Sequence, residues 1–245
     1  MNILLTVQYD GTDYNGWQRQ ANTPGTIQEV LESALKQRLG EFCAITAAGR
    51  TDAGVHALAM PCAFTCESLH IPPNRLPLAL NSLLPQDIRI ISARVVADSF
   101  DPITFAYSKT YRYQIDNARI PSVFTRRYSW HVHRALNVEA IQKAASHFVG
   151  TFDFKAFCAA GGSAKTSIRT IFGLAVEQDS DIIRLSVTGN GFLYNMVRII
   201  TGTLVEVGLG KKVPSEIPFI ISSLDRKKAG QTAPASGLTL VEVVY

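Results

Sequence analysis

The stretch Gly49-Arg50-Thr51-Asp52-Ala53-Gly54-Val55-His56-Ala57 is where the sequence concentrates groups able to do chemistry. Apolar runs at 44–48 and 59–66 flank it and read as strands, so Asp52 is a carboxylate carried at the end of a rigid platform. Glycines on both sides let the backbone turn sharply and let a ligand approach closely. Arg50, two residues away, can grip an anionic or polar substrate. An ordinary turn, with Asp52 bonding its own backbone, fits the same residues. The second charge of interest is Arg198, the only charged residue in the run 185–205, among Met196, Val197, Ile199, Ile200 and Leu204. A guanidinium on an apolar helix either reaches water along its own stem or finds an acid. An acid so paired stays ionised, and therefore nucleophilic, at neutral pH. Asp52 is the obvious candidate for that acid.

Other constellations are weaker. His131 and His133 alternate on one strand face without a third ligand, so no metal site is expected. His56 follows Asp52 by four residues and fits either a base or a loop-packing role. Gly189-Asn190-Gly191 precedes a helix but has neither a phosphate-loop lysine nor a full dinucleotide fingerprint. No cofactor is expected.

These residues need a globular frame. The chain has 245 residues, 47% of them hydrophobic, which excludes a disordered tail protein. Only 18% are charged, fewer than usual, which suggests that much of the surface is buried or lines grooves. The charge-free run 185–197 contains two glycines and two asparagines and is too short to cross a bilayer, so no membrane partner is expected. The start, Ile3-Leu4-Leu5-Thr6-Val7, is strand-like and lacks the basic segment of a secretion signal. Cysteines 43, 62, 66 and 158 form no regular framework and read as reduced thiols, so a cytoplasmic location is expected.

The net charge of +4 is unevenly spread. Between 109 and 134 lie Lys109, Arg112, Arg119, Arg126, Arg127 and Arg134 against Asp116 alone, a local +5 that leaves the rest at −1. Tyr107, Tyr111, Tyr113, Tyr128 and Trp130 are interleaved with these charges. Such alternation suits a polyanion with stackable bases, and also a strand with one solvated face.

The first half reads strand (3–9), helix, strand (44–48), strand (59–66), helix (74–83), strand (88–96). Thr26 and Glu29 form a capping box ahead of the first helix, and Gly40 closes it. The second half reads strands 108–116 and 128–132, then a helix capped by Asn137 and ended by Gly150. A hairpin 170–178 and 182–188, helices 194–207 and 215–224, and a strand 238–244 follow. Asp101-Pro102 breaks the pattern, which predicts halves 1–104 and 105–245. The expected fold is α+β: two ferredoxin-like (split βαβ) halves with antiparallel sheets, joined around a central active-site cleft.

The nine-residue loop resembles the catalytic motif of the bacterial TruA-type tRNA pseudouridine synthases. The resemblance extends to Tyr9-Asp10-Gly11-Thr12-Asp13-Tyr14-Asn15-Gly16-Trp17-Gln18, Lys109-Thr110-Tyr111-Arg112-Tyr113, Gly191-Phe192-Leu193-Tyr194-Asn195-Met196-Val197-Arg198 and Ala233-Pro234-Ala235-Ser236-Gly237-Leu238. Five segments in family order span nearly the whole chain. One departure is Phe152 before Asp153, where relatives often carry a polar residue. The resemblance implies isomerisation of uridines 38, 39 and 40 in the tRNA anticodon stem-loop, with no cofactor or metal. It implies Asp52 as the catalytic carboxylate, Arg198 as its partner, and Arg50 in the space of the displaced base or on the backbone. Tyr111 would pack on the uracil and Leu238 close the other face of the slot, into which the target base is flipped. It also implies a homodimer with tRNA lying across both subunits. Lys109, Arg112, Arg126 and Arg127 are the candidates for RNA contact. Two other classes remain to be weighed: a non-catalytic RNA-binding module, and a small-molecule lyase or hydrolase using Asp52 with His56.

Overall fold

The computed structural model describes residues 1–20, 22–162 and 164–245. In chain order the first elements are β1 (Asn2–Tyr9), α1 (Ile27–Leu39), β2 (Ile45–Ala47), β3 (His56–Thr65), α2 (Leu76–Asn81) and β4 (Ile88–Val96). Then come β5 (Ser108–Asp116), β6 (Trp130–His131), α3 (Val138–Ser146), β7 (Gly150–Asp153), β8 (Ile168–Asp179) and β9 (Ile182–Gly189). The last are α4 (Met196–Gly208), α5 (Ile217–Ser223) and β10 (Leu238–Val244). The chain divides into two compact units: Met1–Tyr107 with Thr239–Tyr245, and Ser108–Leu238.

In the first unit β1 is buried at nearly every position, as its run of Ile, Leu and Val requires of a central strand. It pairs antiparallel with β3 on one side and β4 on the other. β2 lies antiparallel on β3 at Cys62–Phe64. Nearer the start of β3, Thr239 and Leu240 of β10 pair with His56 and Ala57 in parallel. Helix α1 begins as its sequence dictates: the Thr26 hydroxyl accepts from the Glu29 N–H, and Gly40 ends the helix in the left-handed region at φ 80°. The Glu29 carboxylate accepts from Gly25 N–H at 2.9 Å, one residue before the reciprocal bond that a capping box predicts. From α1 the buried Glu32 accepts the Ile45 N–H at 3.1 Å and meets Arg19 at 3.1 Å, while Gln28 donates to the Ile45 carbonyl at 3.2 Å. The helix thereby fixes the strand that leads into the Asp52 loop.

In the second unit β9 lies between β5 and β8, and β7 edges β8, all antiparallel. The two-residue β6 runs parallel to the end of β5. The expectation of wholly antiparallel sheets is therefore corrected: β10 on β3 and β6 on β5 are parallel, and the fold is mixed α+β. Each parallel partner returns after a long connection instead of a hairpin, which frees its direction. The third helix starts where Asn137 caps the Ala140 N–H, but it closes at Ser146 instead of running to Gly150. Gly150, at φ 131°, instead opens β7. Helix α4 is apolar on most of its surface; its buried Thr201 and Thr203 satisfy their hydroxyls on the carbonyls of Val197 and Ile199 one turn back. Gly208 lets it approach α3, since a Cβ there would stand 2.7 Å from Ile141.

Among the described residues no helix is long and apolar enough to cross a membrane, and no three His, Cys, Asp or Glu side chains converge as a metal site requires. All four cysteines are free; burial, with Glu41 beside it, pushes the Cys43 thiol up to about 11.

Candidate active site

Asp52 is half-buried on the connection between β2 and β3. The β2–β3 ladder runs on into this loop through Ala48 N–H to Pro61 O at 2.8 Å. Val55 N–H then closes a turn on the Asp52 carbonyl at 3.1 Å, a main-chain bond that does not require the carboxylate. A second segment, residues 9–17, clamps the loop from outside. Trp17 N–H donates to Thr51 O at 3.0 Å, Gly54 N–H to Tyr14 O at 3.3 Å, and the Tyr9 hydroxyl meets the Thr51 hydroxyl at 2.7 Å in a buried contact. Two glycines permit this approach. A Cβ on Gly11 would lie 2.0 Å from Val55 O; one on Gly16, at φ 83°, would lie 2.7 Å from Thr51 O.

His56 is 3% exposed, with Gly11 N–H donating to its Nδ1 at 3.1 Å and Asp10 Oδ1 at the same distance from that nitrogen. It anchors the clamp to β3, an arrangement that a loop-packing role accounts for. Arg50 is exposed beside Asp52. Tyr14, hydrogen-bonded to Asp87 at 2.7 Å, is raised above the usual phenol range by burial and then by that carboxylate.

In the second unit Tyr111 is buried on β5 opposite Val187, its ring edge-on to Phe192 at 5.3 Å. Arg198, half-buried in the first turn of α4, does not simply extend to water. Its Nε donates to Ala233 O at 2.8 Å and its Nη1 to Asn195 Oδ1 at 2.7 Å. Asn195 holds a left-handed conformation, φ 59°, which an asparagine tolerates better than most residues. The same Ala233 donates its N–H to the Arg198 carbonyl at 3.1 Å. Next to it, Pro234 O accepts the Tyr113 hydroxyl at 2.7 Å. Burial raises the Tyr113 phenol, with Arg198 pulling the other way. A short 3-10 turn, Ala235–Gly237, then delivers the buried Leu238; Gly237 presses on the Tyr113 ring, where a Cβ would come within 2.5 Å.

The four RNA-contact candidates do not form one surface. Lys109 and Arg112 are three apart on β5, so strand alternation sends them to opposite faces; Lys109 shares its face with Tyr111. Arg126 and Arg127 are exposed on the connection from β5 to β6, with Phe124 90% exposed next to them. That connection is built around buried Asp116, whose carboxylate accepts from Ala118 N–H, Ser122 N–H and the Thr125 hydroxyl at 3.1–3.2 Å. Burial alone would raise Asp116, but these bonds, with His131 nearby, hold it below the usual carboxylate range.

Sequence reasoning offers no structural account of the 9–17 clamp, nor of Asn195, Ala233 and Pro234 as the fixtures of Arg198 and Tyr113. The clamp has one readable signal, two glycines among aromatics with neither helical nor strand periodicity.

Against known proteins, the family model for tRNA pseudouridine synthase matches residues 5–103 and 144–245. The chain belongs to the tRNA pseudouridine synthase family. It is 49% identical over 244 residues to a tRNA pseudouridine synthase A of Acetivibrio thermocellus, covering 100% of this chain and 99% of that one. Proteins of the same description from a Thermoanaerobacter species (47%, 100% and 99% covered) and Geotalea uraniireducens (49%, 99% and 99% covered) are similarly related to this synthase-family chain. A solved Cbf5-Nop10-Gar1 complex aligns with 97% of this chain and 48% of its own at 12% identity and a TM-score of 0.40, a likeness too slight to build on.

Proposed function

We propose that this synthase-family chain isomerises uridines 38, 39 and 40 of the tRNA anticodon stem-loop to pseudouridine, with Asp52 as the catalytic carboxylate. In this reaction the bond from ribose C1′ to uracil N1 breaks, the base rotates, and C1′ joins C5. C5 gives up its proton as N1 regains one, so there is no net redox change. The observation that carries the reading is the Asp52 loop, continued from the β2–β3 ladder on one side and clamped by residues 9–17 on the other. Such fixing is what proximity catalysis requires of a group that must meet a flipped base.

The remaining roles follow from the family resemblance. Tyr111 and Leu238, both buried, line the faces of the uracil slot. Arg198 supplies the positive charge that keeps the Asp52 carboxylate reactive. Arg50 takes the space of the displaced base or the RNA backbone. In the first unit, the order β4-β1-β3-β2 is that of a split βαβ half. Partners are the tRNA anticodon stem-loop and a second copy of the chain, in the cytoplasm.

The test is release of tritium from C5-labelled uridine in unmodified tRNA, comparing the native chain with Asp52→Asn. The amide keeps the shape of the side chain and removes its charge. Product formation is expected to vanish while tRNA binding stays within a few-fold. Turnover persisting in Asp52→Asn ends the assignment. Reaction of free uridine nucleotides without tRNA would instead favour the small-molecule class.

A further inference from the structure

One end of the β5-β9-β8 sheet gathers groups that the uridine reaction itself does not use. Lys109 stands opposite Gly189, and Gly189 in turn stands opposite Ile171. Arg169 lies two residues before Ile171, on the same face by strand alternation. The guanidinium of Arg169 donates from Nη1 to Thr166 O at 2.8 Å and to Ile168 O at 2.6 Å, so it is fixed while its Nε and Nη2 keep donors to offer. Asn190 is locked onto Thr170 of β8, next to Arg169: its N–H donates to Thr170 O at 3.0 Å and its Oδ1 accepts from Thr170 N–H at 3.0 Å.

Gly191 has no conformational need to be glycine. It shows no left-handed φ, and a Cβ would meet only the Arg169 side chain, Nε at 3.7 Å and Cδ at 3.9 Å, which is ordinary contact. What its missing side chain does is leave the space beside Arg169 Nε open. Two cations on one face are also unfavourable to each other. Burial and then the charge of Arg169 lower the Lys109 ammonium below its usual range. An anion seated between them removes that repulsion.

We infer that Lys109, Arg169 and the open backbone at Gly191 form a seat for one phosphodiester of the RNA, the one adjoining the nucleotide held against Tyr111. Lys109 is two positions from Tyr111 on the same face of the same strand, so a phosphate on it belongs to the target nucleotide or its immediate neighbour. The guanidinium contributes a fixed fork and the ammonium a compact point charge, a complementary pair for an oxyanion with several acceptors. The inference rests on tRNA being the substrate.

The experiment measures the affinity of unmodified tRNA as a function of salt for the native chain, Lys109→Gln, Arg169→Gln, the double variant and Arg169→Lys. Tritium release is followed in parallel and thermal melting confirms that each variant is folded. The double variant is expected to flatten the slope of log K against log salt by about 0.7–0.9, one phosphate's worth. The two single losses must not sum beyond that, because both cations hold the same group. Arg169→Lys, which keeps the charge, restores most of the slope. An unchanged slope in a folded double variant, or a drop worth two phosphates, overturns the shared seat. If the native chain itself neither binds nor converts tRNA, it is the functional reading that fails.

Discussion

Replacing Gly11 by alanine adds a single methyl group, yet the structure assigns it a large effect. The new Cβ would stand 2.0 Å from Val55 O, where ordinary contact begins at 3.4 Å, so one of the two backbones must retreat by more than an ångström. Neither can do so alone. Gly11 N–H is bonded to His56 Nδ1, and Val55 N–H is bonded to the Asp52 carbonyl, so the displacement passes into the carboxylate loop. A misplacement of about 1 Å costs on the order of a hundredfold in rate when a reaction depends on alignment. Gly11→Ala is therefore expected to lower kcat roughly a hundredfold. Because the candidate RNA contacts Arg126 and Arg127 and the proposed phosphate seat are untouched, tRNA affinity should stay within a few-fold. Single-turnover tritium release with saturating enzyme, beside a filter-binding titration, separates the two. Native kcat in Gly11→Ala, with melting confirming a folded protein, would refute the idea that the clamp sets the position of Asp52.

Asn195→Gly keeps the left-handed backbone but deletes the acceptor for Arg198 Nη1; kcat should fall several-fold with little change in melting temperature, measured on the same tRNA. Neutralising Arg126 and Arg127 to glutamine should flatten the salt dependence of tRNA binding by up to roughly one unit for each phosphate that these side chains neutralise. Asp116 has a folded pKa below its unfolded one, so its stabilisation is present above the unfolded carboxylate range near pH 4 and is lost as pH falls through the folded value. Asp116→Asn should accordingly melt earlier than the native chain at pH 7, with the gap narrowing on acidification below about pH 4. A gap independent of pH would show that the carboxylate charge does not order the 117–129 connection.

How far the sequence is legible depends on the range of the interaction. Thr26, Gly40 and Asn137 act on backbone groups a few residues away, and each caps or closes its helix where the local pattern predicts. The apolar setting of Arg198 is likewise visible, because its neighbours along the chain state it directly. What receives its Nε is not: Ala233 O lies 35 residues on, and a main-chain carbonyl has no signature in any residue type. The pairing of Tyr113 with Pro234 O spans 121 residues and is hidden for the same reason. The early end of α3 escapes the pattern because Phe148 and Val149 continue the helical spacing, while the backbone at 147 has already turned back on Ala144 and Ala145. β7 is only four residues long with no buried position, too short to show a strand period.

The parallel pairing of β10 with the start of β3 bears on how the protein is made. Every residue of Ser108–Leu238 must leave the ribosome before Thr239 and Leu240 can reach His56 and Ala57. At common rates of synthesis that interval is on the order of ten seconds. Throughout it the nascent first unit carries an unpaired strand edge immediately beside its carboxylate loop, a template on which another chain could add. Truncated products lacking β10 should therefore be the ones that aggregate, and arrival of β10, rather than collapse of the first unit alone, is the event that seals the strand edge beside the Asp52 loop.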